Sequence, residues 1–295
     1  MSGSPTSPLS QIEWIAPTAD LLDFAHTFFI MRADKGEHHD IMPAYSAQIF
    51  IFVEGTGTLH FPDREPGHSG DVTFNAPMLS AAPMTLDGPV INVGASLTAL
   101  GWAALSRTPV TEMHDQSVEA DAFLGPEVLA PLQRATAQAR AGERSAQSLF
   151  PEIEAMIRAA INSPARKPWM EHKQLLDAID AWLISAFNPP IDDLYNNVAL
   201  GQRQIQRLCK RYYGVPPAQL VKRSRAIRAA MLLAHEDLSV DLRDDVLGAY
   251  YDQAHLIHDI RRFTGRTPKK LANEPLAQEM LDPKGHGRAG KTVRE

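Results

Sequence analysis

The stretch YYDQAHLIHDIRRFTGRTP, residues 250–268, concentrates side chains that could either bind a charged partner or perform acid-base chemistry. Amides, imidazoles and guanidiniums recur in it at helical spacing, Gly265 then marks a helix end, and Pro268 opposes an early restart. Two functions suit such a helix: histidines that act in catalysis, or a polar face that lies in a groove of DNA. The rest of the chain has to decide between them.

Positive charge is concentrated in two short segments of an otherwise acidic chain. The 295 residues carry a net charge of −6, yet residues 201–228 hold eight basic residues and no acidic one. Residues 261–270 hold five more basic residues, again without an acidic one. Phosphate binding requires such a local density of positive charge rather than a basic chain as a whole. A single run would indicate a solvated surface, whereas two runs on short helices favour a nucleic-acid partner.

Two predicted helices with the same pattern account for these segments. Residues 201–214 and 252–265 each place aliphatic residues inward and polar residues outward, and the stops YYGVPP and FTGRTP follow. A short helix precedes each one, at 191–200 and at about 241–249, and a long basic helix over 218–236 joins the two pairs. This is the helix-turn-helix arrangement, in which the second helix of each pair enters the major groove.

The outward side chains of the two second helices are the predicted DNA contacts. Arginine pairs with guanine and glutamine with adenine, so Arg203, Gln206 and Gln253 suit base reading. Basic residues near the helix ends, such as Arg261 and Arg262, suit phosphates. The full predicted set is Arg203, Gln206, Arg207, Lys210, Arg211, Gln253, Ala254, His255, His258, Arg261 and Arg262.

Residues 191–271 resemble the DNA-binding domain of the AraC/XylS family of bacterial transcription regulators. The matching text is GQRQIQRLCKRYYGVPPAQL in the first unit and YYDQAHLIHDIRRFTGRTP in the second. The resemblance implies two helix-turn-helix units that enter successive major-groove segments on one face of double-stranded promoter DNA. It also implies a small-molecule effector or a homodimer, and RNA polymerase as a partner if the protein is an activator.

Several positions in the second unit depart from the family pattern. Asp244 and Asp245 stand where the family has an aliphatic residue and alanine, Ala249 replaces the usual turn glycine, Ile260 replaces phenylalanine, and His258 stands where arginine is common. These departures leave open a second unit that has degenerated, or a domain that has become a protein-interaction module.

The N-terminal half predicts strands followed by helices, which gives the chain an α+β fold class. The runs AQIFIFVEG (47–55) and GTLHFPD (57–63) are typical of a hairpin, and Gly/Pro turns separate further strands. The stretches 42–55 and 91–125 resemble the strand-rich sensor domain of one group of such regulators, which implies a cupin-like barrel with trailing helices. Residues 126–161 show the 3- and 4-residue apolar spacing of helices.

These patterns divide the chain into four predicted segments. We expect a strand-rich sensor or dimerisation domain over 1–161, a linker over 162–170, a DNA-binding domain over 171–275 and a disordered tail over 276–295. The tail is predicted to be disordered because it has few apolar residues after Leu281.

The alternative function is a cupin-like protein that binds a small molecule or uses a metal in catalysis, with the helical part for assembly. A cupin metal site needs His-x-His spacing, whereas His38 and His39 are adjacent, and so point to opposite faces of an extended chain. His60 and His68 are too isolated to complete such a set. We therefore expect no enzyme, no metal and no cofactor.

The composition predicts a cytoplasmic protein without a membrane partner. Cys209 is the single cysteine, which excludes an internal disulfide and fits a reducing compartment. The N-terminus lacks the basic and apolar regions of a signal peptide, and no run approaches the ~20 apolar residues of a membrane helix.

Overall fold

A computed structural model describes the chain as a strand-rich part followed by helices, which confirms the α+β class. The described residues are 11–62, 64–68, 70–163, 169–234, 246, 248–287 and 290. The strands among them are β1 Gln11–Ile15, β2 Ala25–Met42, β3 Gln48–Leu59, β4 Gly67–His68, β5 Thr73–Asn75, β6 Ala82–Leu97 and β7 Ser117–Glu119. The helices are α1 Ala99–Leu105, α2 Val110–Met113, α3 Pro126–Arg140, α4 Phe150–Asn162, α5 Lys173–Ser185, α6 Ile191–Asn197, α7 Gln202–Tyr213, α8 Pro217–Ala234, α9 Gln253–Thr264, α10 Pro268–Leu271 and α11 Pro275–Met280.

The strands form one antiparallel sheet in the order β1-β2-β6-β3-β5-β7, with β4 beside β3. This order leaves the sheet open, since β1 and β7 do not pair with each other. Side chains alternate between its two faces, as the period of two requires. Ile49 and Ile51 face the helices, while Phe50 and Phe52 face the inside of the bent sheet.

The predicted hairpin between residues 47–55 and 57–63 is wrong, because β3 runs through the Glu-Gly-Thr-Gly sequence without turning back. Its register against β6 shifts on both sides of Glu54 and then continues from Thr56 to Leu59. Gly55 allows this bend, since its φ is 70° and a Cβ there would lie 2.5 Å from the carbonyl oxygen of Pro89. The glycines therefore mark a bulge rather than a hairpin turn.

The helices of the carboxyl-terminal part follow the predicted pattern where the structure describes them. Ile205, Leu208 and Cys209 lie in the core beneath α7, and Leu256 and Ile260 lie in the core beneath α9. The short helix predicted at about 241–249 falls mostly outside the described residues, and so do the predictions about Asp244 and Asp245. Ala249 lies within them and is not among the residues with positive φ, so alanine is compatible with this turn.

The prediction of a disordered tail from residue 276 is wrong over its first part. Helix α11 is followed by a short 3-10 helix, Pro283–His286. Leu276 and Met280 pack in the core of the sheet, whereas Ala277 and Leu281 pack in the core around α8 and α9. Few apolar residues were enough to order this segment, because its two sides pack against different parts of the chain.

Two further predictions concern the linker and membrane-spanning helices. The predicted linker falls largely on residues 164–168, which lie outside the described residues, so the domain boundary stays a prediction. No helix within the described ranges combines the length and the hydropathy that a membrane span requires.

Candidate nucleic-acid interface

Helix α7 presents a cationic and amide-bearing face to solvent. Gly201 precedes it in an extended conformation, and Gly214 ends it with a φ of 78°, in the left-handed conformation typical of helix stops. The helical period directs the aliphatic residues inward, so the polar positions between them face outward. All five predicted contacts on this helix are exposed: Arg203, Gln206, Arg207, Lys210 and Arg211. Gln202 and Gln204 are exposed as well.

Tyrosines at the end of α7 anchor this helix to α5. The Tyr213 hydroxyl donates to Asp180 Oδ1 at 2.9 Å, and the Tyr212 hydroxyl lies 2.7 Å from His172 Nδ1. Burial raises the pKa of both phenols, so they remain protonated at neutral pH. Both hydroxyls are therefore engaged within the protein, and the exposed charges of α7 stand on a fixed support.

Helix α9 repeats this arrangement with a better-defined start. The Asp252 carboxylate accepts a hydrogen bond from the backbone nitrogen of His255 at 2.7 Å, and Gly265 ends the helix with a φ of 71°. Five of the six predicted contacts on this helix are exposed: Gln253, Ala254, His258, Arg261 and Arg262.

Among the predicted contacts, Gln206 Nε2 donates to the Tyr195 hydroxyl at 3.1 Å, and the ring of His255 is engaged inside the domain. Its Nε2 lies 3.4 Å from Asp259 Oδ2, and the ring packs edge-on against Tyr250 with 5.6 Å between centroids. About 39% of its side chain remains exposed. A contact to DNA by this imidazole stays a prediction, and it would compete with the ion pair.

A buried carboxylate on α9, which the sequence analysis did not single out, organises the cations of α8. Asp259 is fully buried, with Arg225 Nη2 at 3.3 Å and Lys222 Nζ at 3.0 Å, the latter an ion pair without hydrogen-bond geometry. Arg225 also lies over the Tyr250 ring, 4.2 Å from its centroid. In the sequence, the position of Asp259 between the apolar residues Leu256 and Phe263 indicates a buried carboxylate. Such a carboxylate needs cations beside it inside the protein.

The other arginines of α8 are likewise structural. Arg223 Nη1 donates to the carbonyl oxygen of Met78 at 3.1 Å, and Arg228 Nη2 donates to those of Ala186 and Phe187 at 2.8 and 2.6 Å. Burial lowers the pKa of Arg228 to about 10, which still leaves it charged at neutral pH. Much of the positive charge that the sequence concentrates over 201–228 therefore stabilises the domain instead of facing solvent.

One loop of the N-terminal part contacts the C-terminal ends of both α7 and α9. We call residues 77–81, between β5 and β6, the brace loop. A Cβ at Gly214, which follows α7, would lie 3.0 Å from the Leu79 side chain. The backbone nitrogen of Ala81 donates to the carbonyl oxygen of Arg262 at 3.1 Å. The two helices are thus held at their C-terminal ends, while their N-terminal ends carry exposed side chains.

A second contact joins the same two parts through Arg266, which is only 2% exposed. Its guanidinium pairs with Asp40 at the end of β2 and with Glu274, and it donates to the carbonyl oxygen of Ile41 at 2.8 Å. Nearby, the backbone nitrogen of Ala44 donates to the carbonyl oxygen of Phe263 at 2.8 Å. The N-terminal sheet therefore supports the second unit directly.

The comparisons agree with this geometry at the carboxyl-terminal part. The family described as a helix-turn-helix domain matches residues 194–274, which contain α7, α8 and α9. These residues form an AraC-type helix-turn-helix domain. No curated protein matches the sequence. The resemblance of residues 191–271 to the AraC/XylS DNA-binding domain is confirmed at the level of this domain.

Three solved structures that are similar to this chain have low identity to it and cover from 29% to 92% of its length. ToxT from Vibrio cholerae bound to (E)-4-(8-methylnaphthalen-1-yl)but-3-enoic acid is 9% identical, covers 92% of this chain and 100% of its own, and has a TM-score of 0.47. The AraC-like transcriptional activator CuxR is 9% identical, covers 71% of this chain and 78% of its own, and has a TM-score of 0.31. A cupin-like protein from Thermotoga maritima is 15% identical, covers 29% and 65%, and has a TM-score of 0.22.

The histidines considered for metal binding do not assemble a ligand set in the described part of the chain. No three His, Cys, Asp or Glu side chains there form a group that could hold a metal ion. His39 and His60 approach each other across Thr85, whose Oγ1 lies 3.4 Å from His39 Nδ1 and 3.1 Å from His60 Nε2. His38 turns away and lies 2.9 Å from the carbonyl oxygen of Asp34.

A cavity of about 600 Å³ lies between the sheet and the AraC-type domain. Aliphatic and aromatic side chains supply most of its wall, from β1, α1, α5 and α8: Trp14, Leu100, Trp102, Leu183, Ile184, Leu220, Ile227 and Met231. Polar and charged side chains also line it, among them Ser46, Ser96, Arg223, His286 and the carboxylates of Asp23, Asp177 and Asp180. This combination suits an organic ligand with a large apolar body and few polar groups.

Replacing Asp252 by alanine should lower the free energy of unfolding by about 1 kcal/mol, because the start of α9 loses its capping carboxylate. Urea denaturation followed by circular dichroism measures this change. Asp252→Asn is the matched control, since asparagine caps a helix about as well as aspartate. A loss as large for asparagine as for alanine would contradict the capping role.

Proposed function

We propose that the chain is a sequence-specific, DNA-binding transcription regulator that acts without catalysis. The observation that carries this proposal is the matched pair α7 and α9. Both helices are held at their C-terminal ends and expose polar side chains from their first turn onward. In helix-turn-helix proteins the N-terminal residues of the second helix approach the base edges, so this is the end that must be accessible.

The exposed side chains divide into two proposed roles. Arg203, Gln206 and Gln253 lie towards the N-terminal halves of their helices and have the donor patterns that read guanine and adenine. The basic residues further along the helices would neutralise phosphates and fix the register on the duplex. These residues are Arg207, Lys210, Arg211, Arg261 and Arg262. Ala254 and His258 are proposed to approach the second groove.

The two roles predict different effects on binding. Arg203→Ala should cost about 1–3 kcal/mol on a site selected from random DNA and should relax the preference at one base position. Arg261→Ala should weaken selected and scrambled DNA alike and reduce the slope of log affinity against log salt by about 1. Fluorescence anisotropy titrations at several salt concentrations measure both quantities.

Arg134→Ala is the control for these titrations, because this arginine is exposed on α3, outside the proposed interface. It should leave affinity and salt dependence unchanged. Equal losses on selected and scrambled DNA for Arg203→Ala would contradict its base-reading role. Variants of α9 that bind DNA like the unaltered chain would favour the alternative of a degenerate second unit.

The N-terminal part is proposed to sense a small effector in the 600 Å³ cavity. The apolar wall supports a ligand with an apolar body, and the partly buried guanidinium of Arg223 supports one with an acidic or hydroxyl-bearing end. A homodimer, RNA polymerase as the partner of an activator, and a cytoplasmic location are proposed with the regulator role.

The alternative function, a metal-dependent enzyme, requires bound metal, which elemental analysis of the purified protein would detect.

A further inference from the structure

The chain's C-terminal residues return to its N-terminal sheet. We call Pro283–Gly287 the return segment. It lies so close to the sheet that glycine is needed at two positions. A Cβ at Gly285 would lie 2.9 Å from the Trp14 ring, and one at Gly287 would lie 2.7 Å from His26 Nδ1. The φ of Gly287 is 55°, which also disfavours other residues.

Hydrogen bonds and ring packing hold the return segment in place. The Tyr45 hydroxyl donates to the carbonyl oxygen of Met280, and His286 Nε2 lies 3.2 Å from the same oxygen. The His286 and Tyr45 rings pack with 5.2 Å between centroids. Upstream, Glu279 Oε2 accepts a hydrogen bond from the backbone nitrogen of Ile12 at 2.7 Å. Residues 279–287 are therefore fixed to β1 and to Tyr45, in the loop between β2 and β3, by several independent contacts.

The return segment forms one wall of the cavity and brings distinct polar groups to it. Pro283, Lys284 and His286 are among the lining residues. Because a carbonyl oxygen only accepts, the His286 nitrogen that faces Met280 must carry the proton, which leaves Nδ1 as an acceptor. Burial lowers the pKa of His286 to about 4, so the ring is neutral near pH 7. The segment thus contributes a neutral imidazole and a lysine to the wall of the cavity.

Helix α11 connects this wall to the second helix-turn-helix unit. One side of α11, with Leu276 and Met280, belongs to the core of the sheet. Ala277 and Leu281 belong instead to the core that contains Leu256 of α9. A displacement of the return segment would therefore move α11 and change the packing of the core beneath α9.

We propose that the return segment is part of the effector site and that it links occupancy of the cavity to the second helix-turn-helix unit. The ligand class is an organic molecule with an apolar body and a hydroxyl or acidic group that meets His286 and Lys284. The inference rests on the proposed function for the role of the cavity, but the contacts that carry it do not involve the DNA-binding side chains.

Gly285→Val in the full-length chain tests the inference, because the added side chain has no room against Trp14. The probe is 1-anilinonaphthalene-8-sulfonate, an apolar aromatic molecule with one anionic group, titrated by calorimetry and fluorescence. The unaltered chain should bind one probe molecule saturably, and Gly285→Val should raise its Kd at least about tenfold, equal to about 1.4 kcal/mol. The control Gly201→Val, where nothing lies within 4 Å of the added atom, should bind like the unaltered chain.

A pair of shortened chains provides the second measurement if Gly285→Val fails to fold. A chain that ends at Asp282 should lose probe affinity, and one that ends at Gly290 should keep it. Equal affinity of the two shortened chains, or no saturable binding by the unaltered chain, would overturn the inference. Titration of selected DNA in parallel keeps the two proposals apart. If the unaltered chain does not bind DNA, the regulator role is wrong. If Gly285→Val and the chain that ends at Asp282 bind the probe with the Kd of the unaltered chain, the proposed role of the return segment is wrong.

Discussion

Replacing Asp259 by alanine is expected to lower the free energy of unfolding by about 3–5 kcal/mol, the usual cost of removing one partner from a buried ion pair. Asp259 is fully buried, and the guanidinium of Arg225 beside it is only 11% exposed. Removal of the carboxylate leaves that cation in a place that water hardly reaches. The loss should fall on the packing of α9 against α8, and so on the geometry of the second helix-turn-helix unit.

Guanidinium chloride denaturation, followed by tryptophan fluorescence and circular dichroism, measures this loss. Glu143→Ala is the control, since Glu143 is an exposed carboxylate and its removal should change stability by no more than about 0.5 kcal/mol. DNA titration of the same variant adds a functional readout, in which contacts from the second unit should be lost before those from α7. A change below 1 kcal/mol for Asp259→Ala would mean that Asp259 does not hold the cations of α8.

Arg266→Ala should cost about 2–4 kcal/mol, somewhat below the range for a fully buried pair. The guanidinium is 2% exposed and its pKa is lowered by burial, but Asp40 and Glu274 keep 20% and 41% of their side chains exposed. Water therefore compensates part of the loss. The variant should also loosen the sheet from the second unit, because Arg266 donates to the backbone of Ile41.

Two measurements check this prediction. Chemical denaturation gives the change in stability, with Arg134→Ala as an exposed control that should remain within about 0.5 kcal/mol. Hydrogen exchange should become faster at the end of β2 and the start of α10 in Arg266→Ala. Unchanged exchange at both places would show that Arg266 does not join the two parts.

The sequence was sufficient where local rules decide the structure. The helical period placed Ile205 and Leu208 inward and Arg203 outward, and Gly214 and Gly265 ended their helices as predicted. It was insufficient where partners come from distant parts of the chain. The sequence alone does not predict that the arginines of α8 are engaged inside the domain, because their acceptors, Asp259 and several backbone carbonyls, are remote in sequence.

The same limit explains the errors at β3 and at the tail. Gly55 is equally compatible with a turn and with a bulge, and only the continued pairing of β3 with β6 decides between them. Residues 282–287 have too few apolar neighbours in sequence to predict order, and their order comes from contacts with Trp14 and Tyr45, which are remote in sequence. The same distinction between local and distant determinants applies to the site residues. Exposure on α7 follows from local periodicity, whereas the engagement of His255 depends on Asp259 and Tyr250.

The brace loop bears on which DNA sites the protein can bind, because it lies at the ends of both α7 and α9. Leu79 lies against the end of α7, and the backbone of Ala81 is hydrogen-bonded to the end of α9, so this loop helps to fix the distance between the two helices. Under the proposed function, the exposed side chains determine which bases suit each helix. Successive major-groove segments recur every ~34 Å along one face of DNA. A promoter is then selected by two separable properties: the base sequence of each half-site and the number of base pairs between the half-sites. Under the proposed function, exchange of the outward residues of α7 and α9 would alter the preferred bases. Replacing Leu79 by alanine, or Ala81 by proline, which removes the N–H donor, would alter the preferred spacing.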